Sequence, residues 1–191
     1  GKKLEVEVKR FLSMKNQEIG VIRYQLKSLN FSAPVTVTSF IDGDVMNEDS
    51  NYDEKFWVEL EKEVEGASAF LCMETKKTGF HSGNRQLTRV LLNGKEQLDQ
   101  PEALQKEKFV GSVFHSQLQD GDTLVVEKYS AICSSLQTPK GKMKAYTQKL
   151  VEEASAKGFE QLYQEHSKAW ELRWETSDIE IKGDRAAQQG I

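Results

Sequence analysis

Cysteine is scarce in this chain of 191 residues. The two present, Cys72 and Cys133, are too few for the disulfide framework of a small secreted domain. Both lie in strand-like runs, 69–73 and 131–133, where cysteine serves as a small reduced hydrophobe. No histidine is near either in sequence, so neither has the base that would activate a thiolate. Histidine is almost as rare. His81, His115 and His166 are far apart, and no H-x-x-x-H or C-x-x-C spacing is available to hold a metal. Long apolar runs are missing: nothing approaches the roughly 20 residues that cross a bilayer as a helix. Positive charge is not in excess either. Lys and Arg number 26 against 30 Asp and Glu, for a net charge of −4, with the signs interspersed. A nucleic-acid binder shows a basic face or stripe, so that class is set aside. P-loop, dinucleotide fingerprint and nucleophile elbow are all lacking.

What the chain does have is alternation. Leu4, Val6 and Val8 alternate with Lys3, Glu5, Glu7 and Lys9, the period-2 pattern of a strand with one buried face. Ile22, Tyr24 and Leu26 share a face of a second strand over 19–26. A β-branched run over 35–41 stops at the turn residues Asp42-Gly43-Asp44. Phe56, Val58 and Leu60 alternate with Trp57, Glu59 and Glu61, predicting a strand with the first three inward. Strands follow over 69–75 and 86–92, joined by residues 76–85. Asn93-Gly94 is a hairpin signal. Strands over 109–118 and 123–133 flank Gln119-Asp120-Gly121-Asp122, which reads as another hairpin turn. Many short strands separated by turns, with no helix between them, predict a mainly β, antiparallel sandwich.

After Pro139 the period changes. Met143, Tyr146, Leu150, Val151 and Ala154 fall at helical spacing. Gly158 reads as the residue that ends this helix. Phe159, Leu162, Tyr163, His166, Trp170 and Trp174 form a second helical stripe. Asp184 reads as an N-cap for a short final helix. That helix stops about two turns in, too short to be stable alone, and strand alternation starts at Gly1-Lys2-Lys3 without a lead-in or a signal-peptide pattern. Both ends therefore read as cuts within a longer protein.

Candidate chemistry is thin. The segment Thr78-Gly79-Phe80-His81-Ser82-Gly83-Asn84-Arg85 combines an aromatic, a histidine and an arginine, a set that could meet a sugar or phosphate, although an exposed hairpin tip explains it as well. His115 reads as a sheet residue and His166 as a packing residue. Glycoside cleavage needs two carboxylates across a bond, but Glu59, Glu61 and Glu63 read as a strand's wet face, and Glu152 and Glu153 as helix-surface charges. Trp170 and Trp174 could stack on sugars; at this spacing they read first as packing residues against the sandwich or a neighbouring domain. No catalytic, cofactor-binding or metal-binding residue is assigned.

Two sets of residues carry a family likeness. The first is Arg10-Phe11-Leu12-Ser13-Met14, Ile22-Arg23-Tyr24, Leu29-Asn30-Phe31-Ser32 and Asp42-Gly43. The second is Trp170-Glu171-Leu172-Arg173-Trp174-Glu175, Ser177-Asp178-Ile179-Glu180-Ile181, Gly183-Asp184 and Gln188-Gln189-Gly190-Ile191. In this order they resemble glycoside hydrolase family 65, the maltose, kojibiose, nigerose and trehalose phosphorylases and related hydrolases. The resemblance implies a supersandwich of the galactose-mutarotase-like type over 2–138, two linker helices over 139–177, and the truncated start of a catalytic (α/α)6 barrel over 178–191. It implies a parent enzyme that inverts an α-glucosidic bond, with inorganic phosphate as co-substrate if it is a phosphorylase. It also implies an α-linked glucose disaccharide as substrate, the missing barrel as partner and a homodimer as the parent's assembly. The catalytic acid belongs to the barrel, so no catalytic residue carries over. Cytoplasmic localisation is expected, with a secreted or periplasmic parent left open by the missing N-terminus. The competing reading is a free-standing carbohydrate-binding sandwich.

Overall fold

The computed structural model describes residues 1–46 and 54–189. Strands β1 (Leu4–Leu12), β2 (Ile19–Ser28), β3 (Ala33–Asp42), β4 (Trp57–Glu65), β5 (Ser68–Thr75), β6 (His81–Leu92), β7 (Lys95–Glu96), β8 (Glu102–Lys106), β9 (Phe109–Leu118) and β10 (Thr123–Ser134) come first. Helix α1 (Met143–Ser177) and the short α2 (Arg185–Gln189) follow. Gly190 and Ile191, the end of the expected final helix, lie outside the described residues.

The strands form two antiparallel sheets. The larger has the order β1-β2-β10-β6-β5-β4, with β7 paired to β6, and the smaller has the order β3-β9-β8. Asn93 and Gly94 both take positive φ, 51° and 77°, the backbone that a two-residue hairpin requires, and they join β6 to β7 as expected. The Gln119–Asp122 turn does something else. It carries the chain from β9 in the smaller sheet to β10 in the larger, so it is not a hairpin. The turn is fastened to the end of β2 instead: the Ser28 amide donates to the Asp122 carbonyl at 2.9 Å, and the Gly121 amide to the Ser28 carbonyl at 3.0 Å. Leu118 before the turn and Leu124 after it enter one core cluster from opposite layers.

The smaller sheet covers only part of the larger. β9 lies over β5, β8 over β4, and β3 over β6. Ala69, Leu71, Met73 and Val110 fill one inter-sheet cluster, and Val90, Leu118, Leu124 and Val126 another. A polar layer runs between them. Gln86 Nε2 donates to the Ser39 carbonyl at 2.8 Å, and the Ser39 and Thr88 hydroxyls meet at 2.7 Å. Beyond β3 no described residue covers the inner face of the larger sheet, so the face expected to be buried on β1 is not. Leu4, Val6 and Val8 remain 45%, 51% and 44% exposed, with Tyr24 of β2 beside them at 46%.

β4 departs from expectation for a local reason. A bulge between Glu59 and Glu61 shifts the alternation by one residue. Trp57 and Val64 pack inward against Ala69, Leu71 and Met73, while Val58 and Leu60 face solvent.

The opposite face of the larger sheet is covered by α1. Ile19, Val21, Tyr129 and Ala131 pack against Leu150, Val151, Ala154, Phe159 and Leu162, each apolar side chain contributing about 1.5–3 kcal/mol on full burial. Gly158, with φ 77° and ψ 167°, interrupts the helix, and the backbone there is one that only glycine adopts freely. The two expected helices thus meet at this kink, with Gly158 ending the first as expected. The second helix leaves the sheet after His166, and Trp170 and Trp174 stay exposed instead of packing on the sandwich. Asp184 caps α2 as expected, its Oδ1 accepting from the Ala186 and Ala187 amides at 3.0 Å each.

Lys128 sits at the margin of the inter-sheet space. Its ammonium donates to the Phe40 carbonyl at 2.5 Å, and among the described residues no carboxylate lies within ion-pair distance of it. Burial pulls its pKa down to about 8 from an ordinary 10.5. The folded state resists a proton that the unfolded chain keeps up to 10.5, so Lys128 penalises folding below about pH 8 and the penalty fades between pH 8 and 10.5. Lys128→Met should therefore be more stable than the wild type at pH 7, with the gap narrowing as pH rises through that window. Urea denaturation at pH 7, 8.5 and 10 checks this; a gap independent of pH would contradict it.

Candidate functional site

The segment 78–85 does not form a single loop. β6 begins at His81, leaving a tight turn at 76–80 with the Thr75 amide donating to the Phe80 carbonyl at 2.9 Å. His81 pairs across the strands with Glu74, Nε2 to Oε1 3.1 Å. Arg85 lies four residues further on, roughly 13 Å along an extended strand, and is 2% exposed. It donates to Ser68 Oγ at 3.0 Å and to Glu63 Oε1 at 3.4 Å, with its guanidinium 5.1 Å from the Phe70 ring centre. Only Phe80 fits the exposed tip, and the three residues do not converge on a ligand. The extra strand length came from Ser82, Gly83 and Asn84, turn-formers that here pair with both neighbouring strands.

His115 lies on the outer face of the smaller sheet. Its Nδ1 is 3.2 Å from Thr36 Oγ1 and its Nε2 is 3.4 Å from Glu102 Oε1. A hydroxyl, an imidazole and a carboxylate in that order form the skeleton of an acyl-transfer triad. Here the His115 and Glu102 side chains are 59% and 75% exposed on a flat sheet. Thr36 is mid-strand, where the backbone offers no paired amides to an oxyanion. The group is a cross-strand polar patch. His166 packs as expected: it accepts from the Met14 amide at 3.3 Å, and its ring lies 4.9 Å from that of Phe11.

The carboxylates of β4 are engaged. Glu59 accepts the Lys108 amide at 2.5 Å. Lys144, in the first turn of α1, reaches Glu61 at 2.8 Å and Glu63 at 2.6 Å. The Lys144 hydrogen bond, opposed by desolvation and aided by Arg85, holds the Glu63 carboxyl below its ordinary range. A general acid for glycoside cleavage requires the opposite shift.

One charged constellation was not legible in the sequence. Arg23, Glu127 and Arg89 lie side by side on β2, β10 and β6 beneath α1. Arg23 donates to Glu127 Oε1 through Nε at 3.0 Å and Nη2 at 2.7 Å, and through Nη1 to Glu160 of α1 at 2.5 Å. Tyr129 donates to Glu127 Oε2 at 2.5 Å. Burial, then the Glu127 carboxylate, pushes the Tyr129 phenol above its ordinary value. Strand register made this set, and its role is to fasten helix to sheet.

A polar cleft of about 570 Å³ opens between β6, residues 97–101 and α1. Its arginines are already matched, Arg89 by Glu96 at 2.9 and 2.8 Å and Arg85 as above. Cys72 and Cys133 flank Gly83 in register from either side, two strand spacings or roughly 9.6 Å apart, beyond disulfide reach. Burial raises both thiols, which keeps them protonated. Among the described residues, no three His, Cys, Asp or Glu side chains gather as metal ligands.

The surfaces left without a partner are apolar. One is the open inner face of β1 and β2. The other is the free end of α1, where Trp170 and Trp174 stack with ring centres 6.2 Å apart at 24° and are 39% and 51% exposed. Such patches belong to molecular interfaces.

Comparison with known proteins agrees with this layout. Residues 1–173 match the model of glycosyl hydrolase family 65, N-terminal domain. The maltose phosphorylase of Bacillus subtilis (strain 168) is 28% identical over 190 residues, covering 100% of this chain and 25% of the relative. The alpha,alpha-trehalose phosphorylase of Thermoanaerobacter brockii is 27% identical over 199 residues, again 100% and 25%. A solved structure from the human microbiome, provisionally described as a kojibiose phosphorylase, superposes with a TM-score of 0.85 at 18% identity, covering 99% of this chain and 24% of that one. The chain thus spans about a quarter of the length of these relatives. Sandwich, covering helix and matched residues lead to one assignment: the chain belongs to glycosyl hydrolase family 65, as its N-terminal domain.

Proposed function

We propose that this chain is the non-catalytic β-sandwich of a longer phosphorylase acting on α-glucosidic disaccharides, and that it supports a catalytic barrel elsewhere in the same polypeptide. The observation that carries this reading is its quarter-length match to relatives named as disaccharide phosphorylases. In the reaction implied for the parent, a barrel Glu protonates the departing glycosidic oxygen. Phosphate attacks the anomeric carbon from the opposite face, and β-glucose 1-phosphate leaves with inverted configuration. The division into sandwich 2–138, linker 139–177 and barrel start 178–191 belongs to this reading. So do cytoplasmic localisation, consistent with two cysteines out of disulfide reach, and a homodimeric parent. Hydrolysis in place of phosphorolysis by the parent is the alternative reaction.

The test uses the complete gene product and residues 1–191 in parallel, each offered maltose, trehalose, kojibiose and nigerose with and without phosphate. The longer product should release glucose 1-phosphate from one of them only when phosphate is present, and residues 1–191 should release none. Phosphate-independent glucose release would convert the reading to a hydrolase; silence on all four sugars would sink it. Titration of residues 1–191 with the same sugars should give no saturable heat, whereas saturation would support a carbohydrate-binding module presenting Trp170 and Trp174.

A further inference from the structure

The smaller sheet stops short of where the apolar surface stops. Among the described residues β3 pairs with β9 on one side only, so its other edge presents backbone amides and carbonyls as a ready template for a further strand. Beside that edge, Ile22, Tyr24, Leu26, Phe40, Val126 and Lys128 line an open groove of about 450 Å³. Further out, Leu4, Val6 and Val8 of β1 continue the same face, each about half exposed. In a sandwich the second layer covers this face, and among the described residues three strand positions, over β10, β2 and β1, have no strand above them. Among the described residues Lys128 is the one cation lining the groove, held by the Phe40 carbonyl with its ammonium 5.9 Å from the Phe40 ring centre.

We propose that an extended segment outside residues 1–191 adds to the free edge of β3 as a strand, continues the smaller sheet over β10, β2 and β1, and brings a carboxylate or main-chain carbonyl to Lys128. The proposal rests on the reading that these residues belong to a longer polypeptide. The relatives carry about three quarters of their length outside the matched region, so the covering segment has an ample source. Three features define its chemistry. The unpaired β3 edge selects an extended backbone. The alternating Leu4, Val6, Val8 and Tyr24 surface selects apolar side chains at every second position. The single ammonium selects an acceptor at one place. A sugar is a poorer fit, because it would leave the β3 edge unpaired, although Thr36, Thr38 and Ser39 join Tyr24 and Lys128 as polar groups lining the groove. A second copy is a poor fit too. Pairing β3 antiparallel to β3 of another copy about a two-fold axis places the two overhanging larger sheets in the same space.

Hydrogen exchange read by mass spectrometry decides the matter. In the complete gene product, the β3 amides that face no strand within residues 1–191 should exchange on the order of 100-fold more slowly than in residues 1–191 alone. Equal exchange in the two would overturn the proposal. Equal protection in residues 1–191, appearing with rising concentration alongside a dimer in light scattering, would assign the edge to a second copy and overturn it as well. A paired measurement uses Val8→Asp and Tyr24→Asp. In residues 1–191 they should leave the melting temperature within about 1 °C, since both positions already face water; in the longer product they should lower it by several degrees. Indifference of the longer product would count against the proposal. Phosphorolysis is scored separately on the same preparation. Protection without phosphorolysis keeps the strand and sinks the enzymatic reading; phosphorolysis without protection does the reverse.

Discussion

Glu127→Leu lowers the unfolding free energy by about 3 kcal/mol, the range found when one member of a buried ion pair is removed. The Glu127 side chain is 7% exposed and that of Arg23 is 20% exposed. Removing the carboxylate leaves Arg23 with Glu160 alone, whose side chain is 71% exposed. The Tyr129 hydroxyl, on a residue that is fully buried, loses its acceptor as well, and an unsatisfied buried donor costs about 1–3 kcal/mol. Arg89 suffers least, since Glu96 still holds it by two bonds. Glu127→Gln, which keeps the shape and one acceptor oxygen, should lose about half as much. The double variant Arg23→Met/Glu127→Leu should recover part of the loss, because no cation is then left without its partner. Urea denaturation of residues 1–191 measures all three. A loss within about 0.5 kcal/mol for Glu127→Leu would show that the helix is held by apolar packing alone.

The second large effect is expected at Gly111→Ala, also about 3 kcal/mol. Gly111 lies opposite Phe40 in the β3–β9 ladder. A Cβ there would sit 2.5 Å from the Ser39 carbonyl oxygen and 2.9 Å from Phe40 Cβ. Overpacking costs about 1–3 kcal/mol where side chains can rotate away. Here the nearest atom is backbone, locked by its own strand, so the upper end applies. For a domain of this size that loss lowers the melting temperature by roughly 6–12 °C. Gly141→Ala is the control: a Cβ there meets nothing within 4 Å, and the change should stay within about 0.5 kcal/mol. Equal melting of the two variants would show that β3 and β9 separate without strain.

Much of the architecture is legible in the sequence. Alternation located the long strands, Asn93-Gly94 located a hairpin, and the stripe from Met143 to Leu162 located the covering helix. The likeness carried by Arg10–Met14 and Trp170–Glu175 agrees with the family match over residues 1–173. The misreadings share a cause. The start of β6 has the composition of a loop because Ser82, Gly83 and Asn84 are turn-formers, yet they pair with strands on both sides. The β4 face was inverted because the bulge after Glu59 leaves no mark in the local pattern. The Gln119–Asp122 turn looked like a hairpin because its residues suit any tight reversal; the partners of β9 and β10 lie far away in sequence.

By itself, then, the sequence determined the period of each element and the places where the chain must turn. Those properties follow from side-chain size, polarity and backbone freedom within a few residues. Only the tertiary structure decided which strands share a sheet, that Arg23, Glu127 and Arg89 meet, and that one apolar face lies under α1 while the other stands open beside β3. Alternation tells which residues of a strand lie together but is silent on what covers them, since burial is a property of the neighbour and not of the strand.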